Sequence, residues 1–339
     1  MLKEIKIELT NRCARNCIHC SSSATSNLAS AKELDIDDVS KILIEAKDMG
    51  VDNIVFTGGE PLMYEGIFEL VNLVHKLGMK STLYTFAYRN EENLLKYQKL
   101  ISLGLDKIVY SLADSLSPKI DESTYSLEDF FDEVFINSQA KLGFHYAVSK
   151  DSFNNLFTTI TNTIDTFKDK NYFEKVSLLR FVPHGKGSNM MDLSKEELLK
   201  LKEFYLQYED RDKIRLGTPW NILSIKNNPC IIADEIMIIG FDGIAYPCDS
   251  IKYFSGLGIA GNIKEDSLAT MYNSPYFKSL RAYQNTSCAK CEDYVICKSG
   301  CLGQKIIATY EEDIDKDKVL RRCIQSRDPK CMREDEKKK

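Results

Sequence analysis

The chain has 339 residues, 43% of them hydrophobic and 28% charged, which suits an ordinary globular protein with one large domain and a smaller one. No apolar run approaches the roughly eighteen residues of a membrane span, and no charged-then-apolar leader opens the chain, so the expectation is a cytoplasmic protein with no membrane partner. A net charge of −5 without a long basic stripe argues against nucleic-acid binding.

Ile5, Ile7 and Leu9 alternate with Glu4, Lys6 and Glu8, the pattern of a first strand. It delivers Cys13, Cys17 and Cys20, three thiols within eight residues. Three thiolates on one loop can hold three corners of an iron–sulfur cube and leave the fourth iron without a protein ligand. Sulfur ligands also suit zinc or copper(I), and a structural zinc site normally has four ligands. His19 is the nearest candidate for a fourth, but its place beside Cys20 makes its reach to the same ion awkward. An open iron–sulfur site is the better reading, with zinc and unrelated thiols as alternatives.

A helix is predicted over about 37–49 and stops at Gly50, and a short apolar strand over 53–57 runs into Gly58-Gly59-Glu60-Pro61. Further helices are predicted near 65–77, 91–103, 127–141, 153–167 and 194–207. Gly78 and Gly104 act as stops, Ser126 as an N-cap, and Ser194 with Glu197 has capping-box spacing. Strands are predicted near 81–87, 107–112, 144–148 and 176–182. Six strand–helix units in a row imply a parallel α/β sheet, either an open barrel or a doubly wound sheet, with the site at the carboxyl ends of the strands. The cysteine loop and the Gly-Gly-Glu-Pro turn both fall there. By itself that turn reads as a tight turn; beside an open iron it reads as a grip on a ligand's amino group.

Eleven cysteines is a high count. Three open the chain, eight lie between Cys230 and Cys331, and none lies between Cys20 and Cys230. Without a secretion signal, metal binding is the better reading than a disulfide framework. Met237, Ile238, Ile239 and Phe241 beside Tyr246 suggest a hairpin in this second region. A zinc ribbon on Cys288 and Cys291 would leave at least three cysteines unexplained.

Cys-x3-Cys-x2-Cys after the first strand with Gly-Gly-Glu-Pro after the second resembles the radical S-adenosylmethionine superfamily, whose fold is a partial (β/α)6 TIM-like barrel. The resemblance implies that Cys13, Cys17 and Cys20 hold a [4Fe–4S] cluster bearing S-adenosylmethionine, that Gly58, Gly59 and Glu60 meet its amine, and that His19 lies near its adenine. Ser111 and Arg180 are weaker candidates for the cofactor's carboxylate or ribose; Ser111 reads equally as a turn former and Arg180 as a buried ion-pair partner. The later cysteines resemble the SPASM extension, a cysteine-rich α+β module carrying auxiliary iron–sulfur clusters. That pattern implies one cluster on Cys288, Cys291, Cys297 and Cys323, another on Cys230, Cys248 and Cys301, and Cys331 left over. The implied domains are 1–215 and 216–335.

Tyr246-Pro-Cys-Asp249 resembles anaerobic sulfatase-maturating enzymes, which implies Asp249 as a catalytic base; a turn former or a partner of the cluster is the plainer reading. His184, in the basic loop after the sixth strand, is a candidate for contact at the site's mouth, though a lone loop histidine is more often solvated. The resemblance further implies a peptide substrate and a reductant such as flavodoxin or ferredoxin. A small-molecule dehydrogenase, a sulfatase maturase and a non-catalytic electron carrier are the rivals. Because the cysteine loop begins at residue 13, no leader-binding domain is expected before the barrel, and recognition falls to the barrel, the extension or a separate protein.

Overall fold

A computed structural model describes residues 1–15, 17–112, 123–183, 185–187, 192–228, 230–252, 254, 257–282, 286–311 and 315–333. His184 lies outside the described residues. In chain order the first half runs β1 (Glu4–Thr10), α1 (Ile36–Asp48), β2 (Asn53–Gly58), α2 (Ile67–Lys76), β3 (Lys80–Thr85), α3 (Glu91–Ser102), β4 (Lys107–Ser111), α4 (Leu127–Val134), β5 (Lys141–Val148), α5 (Phe153–Phe167) and β6 (Phe173–Arg180). The second half adds α6 (Lys195–Gln207), β7 (Ile214–Leu216), β8 (Ile236–Ile239), β9 (Ala245–Tyr246), α7 (Leu268–Tyr272), α8 (Pro275–Ala282), α9 (Tyr294–Cys297), α10 (Leu302–Thr309) and α11 (Lys316–Gln325).

The sheet order is β7-β6-β5-β4-β3-β2-β1-β8-β9. From β1 to β6 each strand lies beside its predecessor and parallel to it. A doubly wound sheet reverses its order at a switch point; this one does not, so the units wind one way like an unclosed TIM barrel. Ile5, Ile7 and Leu9 on one face of β1 are fully buried in the core formed with Val39, Ile42 and Leu43 of α1.

Local signals place most elements. Asp35 accepts from the N–H groups of Asp37 and Asp38, Ser126 accepts from Asp129, and Ser194 and Glu197 form the reciprocal capping box. Gly50, Gly78 and Gly104 follow their helices at positive φ. One helix is shorter than its pattern suggested: α4 stops at Val134, because Asn137 takes a left-handed turn and the chain enters β5 at Lys141. The alternation of Leu142, Phe144, Tyr146 and Val148 belongs to that strand, all four being buried.

The expected hairpin forms, with Ile238 opposite Tyr246 and Ile239 opposite Ala245. Its first strand does more than lie in the extension. β8 pairs in parallel with β1, Ile5 opposite Met237 and Ile7 opposite Ile239, so the sheet continues from the barrel into the second region.

Candidate active site and auxiliary cysteine groups

The cysteine loop leaves β1 at Thr10 and is braced from both sides. Cys13 N–H donates to Thr25 O (2.9 Å), and Thr25 N–H donates back to Asn11 O (2.8 Å). From β2, Gly59 N–H reaches Thr10 O at 2.6 Å and Glu60 N–H reaches Arg12 O at 2.8 Å. A Cβ on Gly58 would stand 2.4 Å from Thr10 O, and one on Gly59 2.2 Å from Arg12 O; Gly58 also holds φ +125°. Only glycine lets this turn lie so close to the cysteine loop. The turn is therefore a built approach as well as a turn.

Glu60 is buried at the head of the short Pro61–Met63 turn. Its carboxylate accepts from Leu62 N–H (3.1 Å), Thr85 Oγ1 (2.9 Å) and Phe86 N–H (2.9 Å). Burial pushes its pKa up, opposed by those donors. Burial, and then the nearby Glu60 carboxylate, push the Cys13 thiol up to about 12; Cys20 and Cys17 are also close enough to act on it. Cys20 Sγ accepts from Ala24 N–H at 3.3 Å. Over this loop folds the Gly185–Gly187 turn: Lys186 N–H donates to Cys20 O, and a Cβ on Gly187 would lie 3.3 Å from the His19 Cα.

The second face of the strands sets Asp249 and Ser111 among groups that sequence reasoning passed over, Lys6, Tyr84 and His145. Lys6 Nζ donates to Asp249 Oδ2 at 3.0 Å and sits 5.6 Å from the centre of the Tyr84 ring. Burial works against the Lys6 charge, yet Asp249, Tyr84 and Glu4 hold its pKa above the ordinary lysine value. Tyr84 meets His145 edge-on, centroids 4.7 Å apart. Burial, with Lys6, Arg215 and Lys107 nearby, holds the His145 pKa down to about 3. Glu8 accepts from Ser22 Oγ and Lys252 Nζ, both at 2.5 Å, in a pair almost wholly buried. Ser111 closes β4 in register with His145 and is half-buried.

All eleven cysteines are unbridged. Cys230, Cys248 and Cys301 act on one another's charge, and burial raises each thiol to about 11. Cys288, Cys291, Cys297 and Cys331 line a second, small cavity together with Asp328 and Ser299. This changes the expected set. Cys331, expected to be left over, faces the other three, and its thiol acts on that of Cys297. Cys323, expected to complete them, is fully buried on α11 in the core with Val319, Leu320 and Ile324.

Arg180 is also corrected. Its side chain is fully buried and its guanidinium is engaged by Asp328 (2.8 and 2.9 Å), Asp192 (2.8 and 3.1 Å) and Pro219 O (3.3 Å). All five N–H donors are used, which leaves none for a cofactor. Asp328 in turn accepts from the N–H groups of Cys301 (3.1 Å) and Lys330 (3.0 Å), and its carbonyl accepts from Cys331 N–H (2.9 Å). The ion pair thus ties the sixth strand to both later cysteine groups.

Among the described residues no three His, Cys, Asp or Glu side chains are placed to hold one metal ion. The donor chemistry fits clusters: unbridged thiols gathered in three groups, an N–H···S contact at Cys20, and a glycine approach beside the first loop.

Residues 7–135 match the family model described as the radical SAM superfamily, and residues 230–292 match that of an iron–sulfur cluster-binding domain, SPASM. The chain is a radical SAM protein with a SPASM extension. Among curated proteins, this radical SAM chain is 21% identical over 330 residues to the AdoMet-dependent heme synthase of Methanosarcina barkeri, covering 89% of this chain and 91% of that one. It is 35% identical over 107 residues to the PqqA peptide cyclase of Gluconobacter oxydans, covering 32% and 29%. Its fold is similar to that of Streptococcus suis SuiB bound to its precursor peptide SuiA, with a TM-score of 0.71 and 19% identity over 98% of this chain and 76% of that one. It is also similar to anSMEcpe with bound AdoMet, with a TM-score of 0.65 and 16% identity over 95% and 93%.

Proposed function

We propose that this chain is a cytoplasmic radical enzyme that abstracts hydrogen from a side chain or backbone carbon of a ribosomally made peptide, leading to oxidation, a crosslink or epimerisation. One observation carries the reading. The open three-cysteine loop and a carboxylate beside a later cysteine, Asp249 after Cys248, both belong to β1's surroundings: Gly58–Glu60 abuts the loop, and Lys6 holds Asp249.

Cys13, Cys17 and Cys20 would hold the initiating [4Fe–4S] cluster. The Gly58–Gly59 backbone and Glu60 would receive the cofactor's amine, with His19 and Ser111 at its other ends. Cys230, Cys248 and Cys301 would hold one auxiliary [4Fe–4S] cluster, with a fourth position open to a substrate thiolate or carboxylate. Cys288, Cys291, Cys297 and Cys331 would hold the other. When bound, the clusters and S-adenosylmethionine supply a 5′-deoxyadenosyl radical and a sink for one electron. The protein's own part is orientation and the proton. Asp249, whose Oδ2 accepts from Lys6 and which is partly open to solvent, would take the proton that the substrate loses besides the abstracted hydrogen atom. A flavodoxin or ferredoxin would supply electrons.

The heme synthase aligns along nearly the whole chain, and the peptide cyclase along a third of it. A small-molecule substrate is therefore the second reading. Anaerobically reconstituted protein, reduced and given S-adenosylmethionine, should release 5′-deoxyadenosine; none would end the radical reading. Mass analysis of peptides encoded beside this gene, run against an iron porphyrin precursor, separates the two substrates. A loss of two mass units marks oxidation or a crosslink, and deuterium uptake without it marks epimerisation. Asp249→Asn should keep 5′-deoxyadenosine release while product falls about 100-fold or more.

A further inference from the structure

Lys305 on α10 is almost completely buried, and nothing in the chemistry above uses it. Burying an ammonium is costly unless it is paired and hydrogen-bonded. Two of its donors are accounted for by neutral acceptors, Ser299 Oγ at 3.1 Å and Ile324 O at 3.0 Å. The place of Ser299 is informative. It lines both the small cavity of Cys288, Cys291, Cys297 and Cys331 and a larger one of about 510 Å3 that Cys230 and Lys305 share. It also lies in the turn between Cys297 and Cys301, one cysteine from each group. There Lys298 (φ 51°), Ser299 (φ 68°) and Gly300 (φ 76°) follow one another in the left-handed region, a conformation that only surrounding contacts can hold. Lys305 braces that turn through Ser299 and lines the larger cavity beside Cys230.

We propose that Lys305 is a positioning residue whose ammonium sets the reduction potential of the two auxiliary clusters, keeping both able to accept an electron from the substrate. The inference rests on the auxiliary clusters of the proposed function. A reduced cluster carries one more negative charge than an oxidised one, so a fixed buried cation favours the reduced form. Burial lowers the Lys305 pKa, opposed by Cys288, Asp328, Cys301 and Cys230, which all lie close enough to support its charge. The step balances: the auxiliary cluster gains one electron, the substrate radical loses it, and the accompanying proton leaves through Asp249.

The experiment uses the full chain with Cys13, Cys17 and Cys20 changed to Ala, reconstituted anaerobically so that only auxiliary clusters remain. About eight iron atoms per chain are expected, and markedly fewer would undo the two-cluster reading itself. Potentiometric titration followed by electron paramagnetic resonance then compares Lys305→Met with the parent. The ratio of reduced to oxidised cluster at a fixed poise should fall about tenfold, a negative shift of about 59 mV for a one-electron couple. Lys305→Arg should restore it. Full iron with unchanged potentials in Lys305→Met would overturn the proposal. If Lys305→Met does not load iron, Lys305→Gln, which can still donate to Ile324 O, takes its place with the same expected shift. If neither loads and Lys305→Arg does, the charge assembles the clusters and does not tune them, and the proposal also falls.

Discussion

Exchanging the roles of two cysteines tests the extension most directly. Cys331 shares a cavity with Cys288, Cys291 and Cys297, whereas Cys323 lies in the apolar stripe of α11. Cys331→Ser removes one thiolate of four, and the chain should lose one four-iron cube, about a third of the roughly twelve iron atoms expected for three. Cys323→Ser should keep its iron. Its cost is that of a hydroxyl in an apolar setting, about 1–3 kcal/mol before its O–H finds a partner. On a helix that partner is the carbonyl one turn back, at Val319, so the loss should lie at the low end. Iron per chain and the visible cluster absorbance read the first effect; urea unfolding of the metal-free chain reads the second. If Cys323→Ser loses the iron and Cys331→Ser keeps it, the cavity has been misassigned and the ligand set implied by the SPASM resemblance stands.

Arg180→Met should destabilise the metal-free chain by about 3–5 kcal/mol in urea unfolding, because Asp192 and Asp328 would keep buried charge without the guanidinium that neutralises it. Arg180→Lys should rescue little, since an ammonium cannot reproduce the five-donor fork, and a loss below about 1 kcal/mol would contradict the pin. His145 gives a pH signature. Its folded pKa of about 3 lies below the ordinary 6.5, so between those values the unfolded chain binds the extra proton. Stability should fall as pH drops through that window, and melting temperature of the metal-free chain between pH 7 and pH 5 should decline less steeply in His145→Gln than in the parent.

The sequence disclosed the ends of the strands better than their faces. Capping residues, stop glycines and the two motifs are local signals, readable without knowing what packs against them. Lys6 and Glu8 also look local: charges alternating with Ile5, Ile7 and Leu9 read as a solvent face. That reading conflicts with a parallel sheet, whose central strands are usually covered on both sides and apolar throughout. A charged face on such a strand implies a polar interior, and the partners found there, Asp249 and Lys252, come from more than 240 residues away. No window along the chain contains that pairing. Cys323 was legible in principle: Val319, Leu320, Cys323 and Ile324 keep helical spacing, which marks the thiol as core. The resemblance to the SPASM pattern outweighs it. Arg180 was ambiguous because its partner Asp328 lies 148 residues on.

The division at about residue 215 is testable against the sheet itself. β8 lies beside β1, and Ile236, Met237, Ile238 and Ile239 are all buried, the last three completely. A chain cut after residue 215 would lose that strand and bare the hydrogen-bonding edge of β1, the strand that carries the cysteine loop. At about 2 kcal/mol for each buried side chain the loss is roughly 8 kcal/mol, comparable to the whole net stability of a typical domain. The bared edge adds a template for pairing between chains. Residues 1–215 expressed alone should therefore aggregate or unfold without a cooperative transition, although they contain every residue of the initiating motif. A soluble, monomeric fragment unfolding as sharply as the full chain would show that β8 only leans on the barrel. If the fragment fails as expected, β1 depends on the extension for its edge as well as for Asp249, the partner of Lys6.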